Sequence, residues 1–119
     1  MKSVGVALGL SCWIAAAPGA LAADHRIVID AMAFTPKVVA VRPGDTVTWV
    51  NKDMFVHNVT AAAAGIKSGD LKPGQSWRHK VRQGETFDYL CTLHPVMTGR
   101  VEVDAKAAAL KPARPRSTS

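Results

Sequence analysis

The chain has 119 residues, with 15 Lys and Arg against 9 Asp and Glu, four His and two Cys. That length suits one domain with one core. The basic residues are scattered rather than clustered on one motif, which speaks against nucleic acid as a partner.

Residues 1–23 are expected to be a removable leader. Lys2 is the only charge before Asp24, an apolar run extends from Val4 to Ala17, and Ala20-Leu21-Ala22 forms a small-x-small cleavage site. Pro18 and Gly19 interrupt the run before it reaches spanning length, so no membrane insertion is expected once the leader is gone. Lipid attachment at Cys12 is disfavoured, because Gly9 stands where a lipobox prefers Leu. The expectation is export to the periplasm, with cleavage after Ala22 or Ala23. Cys12 would leave with the leader, so Cys91 would remain as a lone thiol in an oxidising compartment, either buried, reactive or metal-bound. Without Lys2 the chain keeps 14 basic and 9 acidic residues, a surplus that favours attraction to an acidic partner.

From His25 onward the sequence reads as short extended runs separated by turns. Arg26–Asp30 and Lys37–Val41 are rich in β-branched residues, and Arg42-Pro43-Gly44-Asp45 is a turn. Thr46–Val50 alternates, placing Val47 and Trp49 on one face. His57–Thr60 reads as the next strand. Ala61–Gln75 reads as a loop: its four alanines suit a helical turn, but Gly65, Gly69, Pro73 and Gly74 argue against more. Ser76–Val81 puts Trp77, His79 and Val81 together, and Arg82–Glu85 is a second turn. Thr86–Cys91 sets Phe87, Tyr89 and Cys91 on one face, and Arg100–Asp104 is the last strand. About seven to eight short strands at roughly 8–12-residue spacing predict an all-β sandwich over residues 24–104. There is no internal repeat. Residues 105–119 shift to Ala, Lys, Pro, Arg and Ser and are expected to form a basic, disordered tail.

The stretch Tyr89-Leu90-Cys91-Thr92-Leu93-His94-Pro95-Val96-Met97 separates a thiol, an imidazole and a thioether by two residues each. Any one of these alone is ordinary: a single Cys is usually inert, a Met usually fills a core. Together they can reach one ion from a single tight loop. His57, from a separate segment, completes a His₂Cys plane with a weak axial sulfur, the donor set of a copper electron-transfer site. The predicted ligands of one copper ion are therefore His57, Cys91, His94 and Met97. Phe55, Phe87 and Tyr89 are expected to exclude water from it. Backbone amides near Asn58 are expected to donate to the Cys91 sulfur, with the Asn58 side chain bonding across to the Cys91 loop.

These residues resemble the cupredoxins, and within them the amicyanin and plastocyanin branch. The resemblance rests on Gly44-Asp45-Thr46-Val47-Thr48-Trp49-Val50-Asn51, Asp53, His57-Asn58-Val59, and Tyr89 to Met97 with Gly99. It implies a Greek-key sandwich with type 1 copper near one end, held by His57, Cys91, His94 and Met97. It implies that electrons pass through the exposed edge of His94 within an apolar patch, for which Leu93, Pro95, Val96, Phe55 and Met32 are candidates. It also implies redox partners such as an amine dehydrogenase donor and a c-type cytochrome acceptor. Where the family often has Pro before the first histidine and between Cys and His, this chain has Val56 and Leu93. Lys52, Lys67 and Lys72 are candidates for steering an acidic partner.

The leading expectation is a monomeric, periplasmic type 1 copper electron carrier cycling Cu(II)/Cu(I). The alternative is copper delivery or sequestration with the same ligands. An enzyme is disfavoured: copper oxidases need a further histidine-rich centre, and only His25 and His79 remain. A zinc hydrolase is disfavoured for lack of an open water position and a nearby base. A terminus at Ala23 would also offer Ala23-Asp24-His25 as a square-planar Cu(II) chelate.

Overall fold

The structure, a computed structural model, describes residues 3–5, 9 and 21–104. Most of the expected leader and the whole of the expected tail lie outside the described residues. Nine strands are present: β1 (Asp24–Asp30), β2 (Ala33–Thr35), β3 (Val38–Val41), β4 (Thr46–Asn51), β5 (Thr60–Ala61), β6 (Ile66–Lys67), β7 (Ser76–Lys80), β8 (Phe87–Leu90) and β9 (Thr98–Val103). One turn of 3-10 helix at Ala62–Ala64 is the only helical element among the described residues.

The strands form two sheets, ordered β2-β1-β4-β7 and β3-β9-β8-β5-β6. Two pairings are parallel, β1 with β4 and β3 with β9, and the others are antiparallel. This is the all-β sandwich that the alternating runs predict. Val47 and Trp49 lie on the buried face of β4, and Phe87, Tyr89 and Cys91 share the buried face that β8 continues into. Ile27, Ile29, Phe34 and Trp49 of one sheet meet Tyr89, Val101 and Val103 of the other. Tyr89 is the joint, edge-on to Phe34 at 4.8 Å and to Trp49 at 5.4 Å between ring centroids. Such pairs add about 0.5–1.5 kcal/mol beyond the area they bury. Burial pushes the Tyr89 hydroxyl up to about 12, and the nearby Trp49 indole tempers the rise without reaching hydrogen-bond geometry.

Three elements differ from the sequence expectation. His57–Thr60 is not a strand: His57 makes one isolated bridge to Leu71, and regular pairing begins at Thr60. The reason is that its backbone donors are diverted, the Asn58 amide to the Cys91 sulfur and the Val59 amide to Ser68 Oγ. The short strands β2 and β6 carry too few residues for a period to show. The β1–β2 turn uses Ala31 and Met32 at φ 49° and 59°, with no glycine to signal it.

The two turns predicted around Gly44 and Gly84 are present and share one design. In each, a carboxylate at the fourth position bonds back to the first: Arg42 N–H to Asp45 Oδ2 at 3.0 Å, and Arg82 N–H to Glu85 Oε1 at 3.2 Å. Glu85 also receives His79 Nε2 at 2.7 Å. Burial pushes both carboxyls up, but these donors outweigh it and leave each below its ordinary value, 3.8 for Asp45 and 4.5 for Glu85.

Gly99 stands opposite Tyr89 in the β8–β9 ladder, and a Cβ there would collide with the Tyr89 ring at Cζ and Oη. Gly99→Ala should therefore cost about 1–3 kcal/mol in urea unfolding, with the loss sharply reduced in a Tyr89→Leu background. A carboxyl lowered on folding contributes stability above its unfolded value and loses it as the pH falls through its folded value. Unfolding midpoints should thus decline below about pH 4, and Glu85→Gln should flatten part of that decline.

Candidate metal centre

Cys91 follows the end of β8, where the chain leaves the ladder to form a tight loop. Three backbone bonds close that loop: Cys91 N–H to Met97 O at 3.1 Å, His94 N–H to Cys91 O at 3.2 Å, and Met97 N–H to His94 O at 2.9 Å. A two-residue spacing between donors is what allows each segment to fold back on the last. Cys91 is fully buried, Met97 is 3% exposed, and His94 is partly exposed.

His57 arrives from 34 positions earlier and is fully buried. Its Nδ1 lies 3.8 Å from Cys91 Sγ, and its ring centroid lies 5.1 Å from that of His94. Its Nε2 lies 3.0 Å from Asp53 Oδ2. An ionised carboxylate there accepts the Nε2 proton, which leaves the Nδ1 lone pair directed toward the sulfur. Asp53 is itself held as an anion: the Met32 amide first, then His57 and the Met54 amide, keep its carboxyl below the ordinary value.

Behind Asp53 stands Asn51, fully buried at the end of β4. Its amide donates to Phe55 O and Leu71 O, both at 2.8 Å, and its Oδ1 accepts the Asp53 N–H at 2.9 Å. His57 N–H and Leu71 N–H complete the cradle by exchanging bonds with each other's carbonyls at 3.1 and 2.7 Å. The sequence reading did not assign these roles to Asn51, Asp53 or Leu71. The signals available were that Asn51 and Asp53 belong to the motifs carrying the resemblance and that Asp53 precedes His57 by four residues.

The sulfur has the predicted amide donor, Asn58 N–H at 3.4 Å from Cys91 Sγ. The Asn58 side chain bonds across to the loop as predicted, donating to Thr92 Oγ1 at 2.7 Å and accepting from Thr92 N–H at 3.0 Å. It also reaches Asp70 Oδ1 at 3.2 Å. This clamp fixes the two segments that carry His57 and Cys91. Phe87 and Tyr89 are buried as expected, but Phe55 is 51% exposed and does not seal the site. Its carbonyl, bound to Asn51, is the part that the structure uses. Met54, Leu93 and Val96 are exposed beside these ligand-bearing segments, and Lys52, Lys67 and Lys72 are exposed.

Among the described residues, no three His, Cys, Asp or Glu side chains close to metal-holding distance; of the predicted ligands, His57 Nδ1 and Cys91 Sγ stand 3.8 Å apart. The donor chemistry nonetheless fits a soft ion. A buried imidazole nitrogen faces a buried thiol, an amide is aimed at the sulfur, and a second imidazole and a buried methionine flank them. His25 does not join this group. It lies in β1, where its Nε2 meets Asp45 Oδ2 at 2.8 Å. In the uncleaved chain Asp24 and His25 are part of that strand, and the His25 ring is engaged by Asp45.

Residues 22–104 match the family of copper binding proteins typified by plastocyanin and azurin. The chain is 37% identical to amicyanin of Paracoccus denitrificans over 89 residues, covering 69% of this chain and 68% of that protein. It is 32% identical to the chloroplast plastocyanin of Tetradesmus obliquus over 97 residues, covering 69% and 67%. A variant amicyanin solved in its Cu(I) form superposes with a TM-score of 0.64 at 33% identity, covering 68% of this chain and 82% of that one. The chain belongs to the plastocyanin/azurin family of cupredoxins, copper-binding electron carriers that are not enzymes.

Asp53→Asn would turn one oxygen into a donor facing donors, releasing either Met54 N–H or the shared site of Met32 and His57. Copper affinity measured by chelator competition should fall about 10–100-fold, with the fold retained. Unchanged affinity would mean that the His57 ring is oriented by its packing alone.

Proposed function

We propose that this chain is a periplasmic electron carrier whose single type 1 copper is held by His57, Cys91, His94 and Met97. The observation that supports this most directly is the 3.8 Å approach of His57 Nδ1 to Cys91 Sγ, with both groups buried and an amide directed at the sulfur. When bound, copper in this donor set supplies a one-electron couple between Cu(II) and Cu(I).

What the protein contributes is restraint. Asp53 fixes the His57 ring, Asn58 fixes the Cys91 loop to the His57 segment, and two packed sheets carry both. Donors that cannot move far must serve both oxidation states, so little reorganisation accompanies transfer. The Asn58 amide stabilises negative charge on the sulfur and favours the reduced state. His94 is the partly exposed imidazole, and it gives the electron a short path to the surface.

Exposed Leu93, Val96, Met54 and Phe55, at 49%, 90%, 78% and 51%, are the apolar surface we assign to docking a redox protein. The amicyanin relatives support redox proteins as partners, and we assign a dehydrogenase as donor and a c-type cytochrome as acceptor from the motif resemblance alone. Copper delivery, the alternative, fits less well: His57 and Cys91 are both fully buried, out of reach of an incoming ligand from an acceptor chain.

A visible spectrum tests the reading. The copper-loaded protein should show an intense sulfur-to-copper charge-transfer band that ascorbate bleaches and reoxidation restores, and Cys91→Ser should abolish it. A colourless adduct, or a band that survives Cys91→Ser, would sink the proposal.

A further inference from the structure

Asp45 is an acid with no permanent counter-charge. It is 4% exposed, and its carboxylate accepts from three donors on two segments. Oδ1 takes the Ala23 N–H at 2.9 Å; Oδ2 takes the Arg42 N–H at 3.0 Å and His25 Nε2 at 2.8 Å. The two amides are neutral, and His25 is charged only when protonated. Lys80 stands opposite Thr46 on β7, and Asp24 turns away to accept from Thr48 Oγ1 at 2.9 Å. A carboxylate withdrawn this far from water calls for a cation beside it.

Ala23 also leads directly into the sheet. Its carbonyl accepts the Thr46 N–H at 2.9 Å, and β1 starts at the next residue. Just upstream, Leu21 is 90% exposed, an apolar side chain with no place in the folded body. Both residues of the Ala22–Ala23 peptide bond are exposed.

We propose that the chain is cleaved between Ala22 and Ala23, and that Asp45 is the receptor for the α-ammonium group this creates. Hydrolysis of that peptide bond leaves a carboxylate on Ala22 and an amine on Ala23, which takes up a proton at neutral pH. The nitrogen already bonded to Asp45 Oδ1 then carries a full positive charge, and a bond from a neutral amide becomes an ion pair. Cleavage one residue later would remove both Ala23 bonds and strip Oδ1 of its partner, so the carboxylate distinguishes the two sites that the sequence leaves open.

The test uses the exported protein. Its intact mass should correspond to a chain beginning at Ala23. By NMR the α-amine should titrate about 0.7 unit above the same amine in the urea-unfolded chain, whose ordinary value is ~7.7–8.0. A group raised on folding stabilises below its unfolded value and loses that contribution as the pH rises through its folded value. A chain that retains Ala22 should therefore unfold more readily at pH 7, by about fivefold in the equilibrium constant, the upper range for a part-exposed pair. Asp45→Asn should return the amine to its ordinary value; if that variant does not fold, the folded-against-unfolded comparison of the unaltered chain decides. A mature chain beginning anywhere else, or an α-amine that titrates alike folded and unfolded, overturns the proposal. Neither measurement requires copper, so it is independent of the electron-transfer reading.

Discussion

The 3.8 Å separation of His57 Nδ1 from Cys91 Sγ is the constraint on which the site depends, and it is not a local one. The two residues flank neighbouring strands of one sheet, His57 just before β5 and Cys91 just after β8, and the Thr60–Leu90 pairing of those strands brings their segments together. A buried imidazole facing a buried sulfur would drift apart unless both backbones were tied. The ties are Asn58 to Thr92 on one side and His57 to Leu71 on the other. Each uses a buried or part-buried hydrogen bond, costly to break because the separated groups would have no water to turn to.

A second layer holds the first. Asn51 engages the carbonyls of Phe55 and Leu71 and the amide of Asp53, so the loop carrying His57 is built around one side chain. Asp53 then joins that loop to the β1–β2 turn through the Met32 amide. That turn holds two non-glycine residues at positive φ, a conformation that costs about 1–2 kcal/mol per residue. Strain of this kind persists where surrounding bonds over-determine it, and here one of those bonds ends on the acid that orients His57.

Much of this was legible in the sequence because it rests on short-range pattern. The alternation in Thr46–Val50 and Thr86–Cys91 reports which side chains face inward, and the spacing of Cys91, His94 and Met97 reports a loop that folds on itself. The parallel pairing of β1 with β4 and the place of β9 inside the second sheet leave no local trace, since neither alters the period of any strand. The segment from His57 to Thr60 misled for a chemical reason: its β-like composition is real, but two of its amides serve a sulfur and a serine rather than a neighbouring strand. Phe55 misled because an aromatic beside a ligand reads as a seal, whereas here the backbone does the holding. Asn51 belongs to the motif that carries the resemblance, but nothing in its identity distinguishes a solvated amide from a buried hub.

β9, the last strand among the described residues, lies between β3 and β8 rather than at an edge. β8 can pair with β5 beforehand, but β3 has no other strand beside it and waits for β9, and the β3–β9 pairing must close a long intervening loop. A growing polypeptide that has already made all four proposed donor side chains still lacks the strand that completes their sheet. The second sheet therefore closes only when β9 arrives, after the residues proposed to hold the ion are already in the chain.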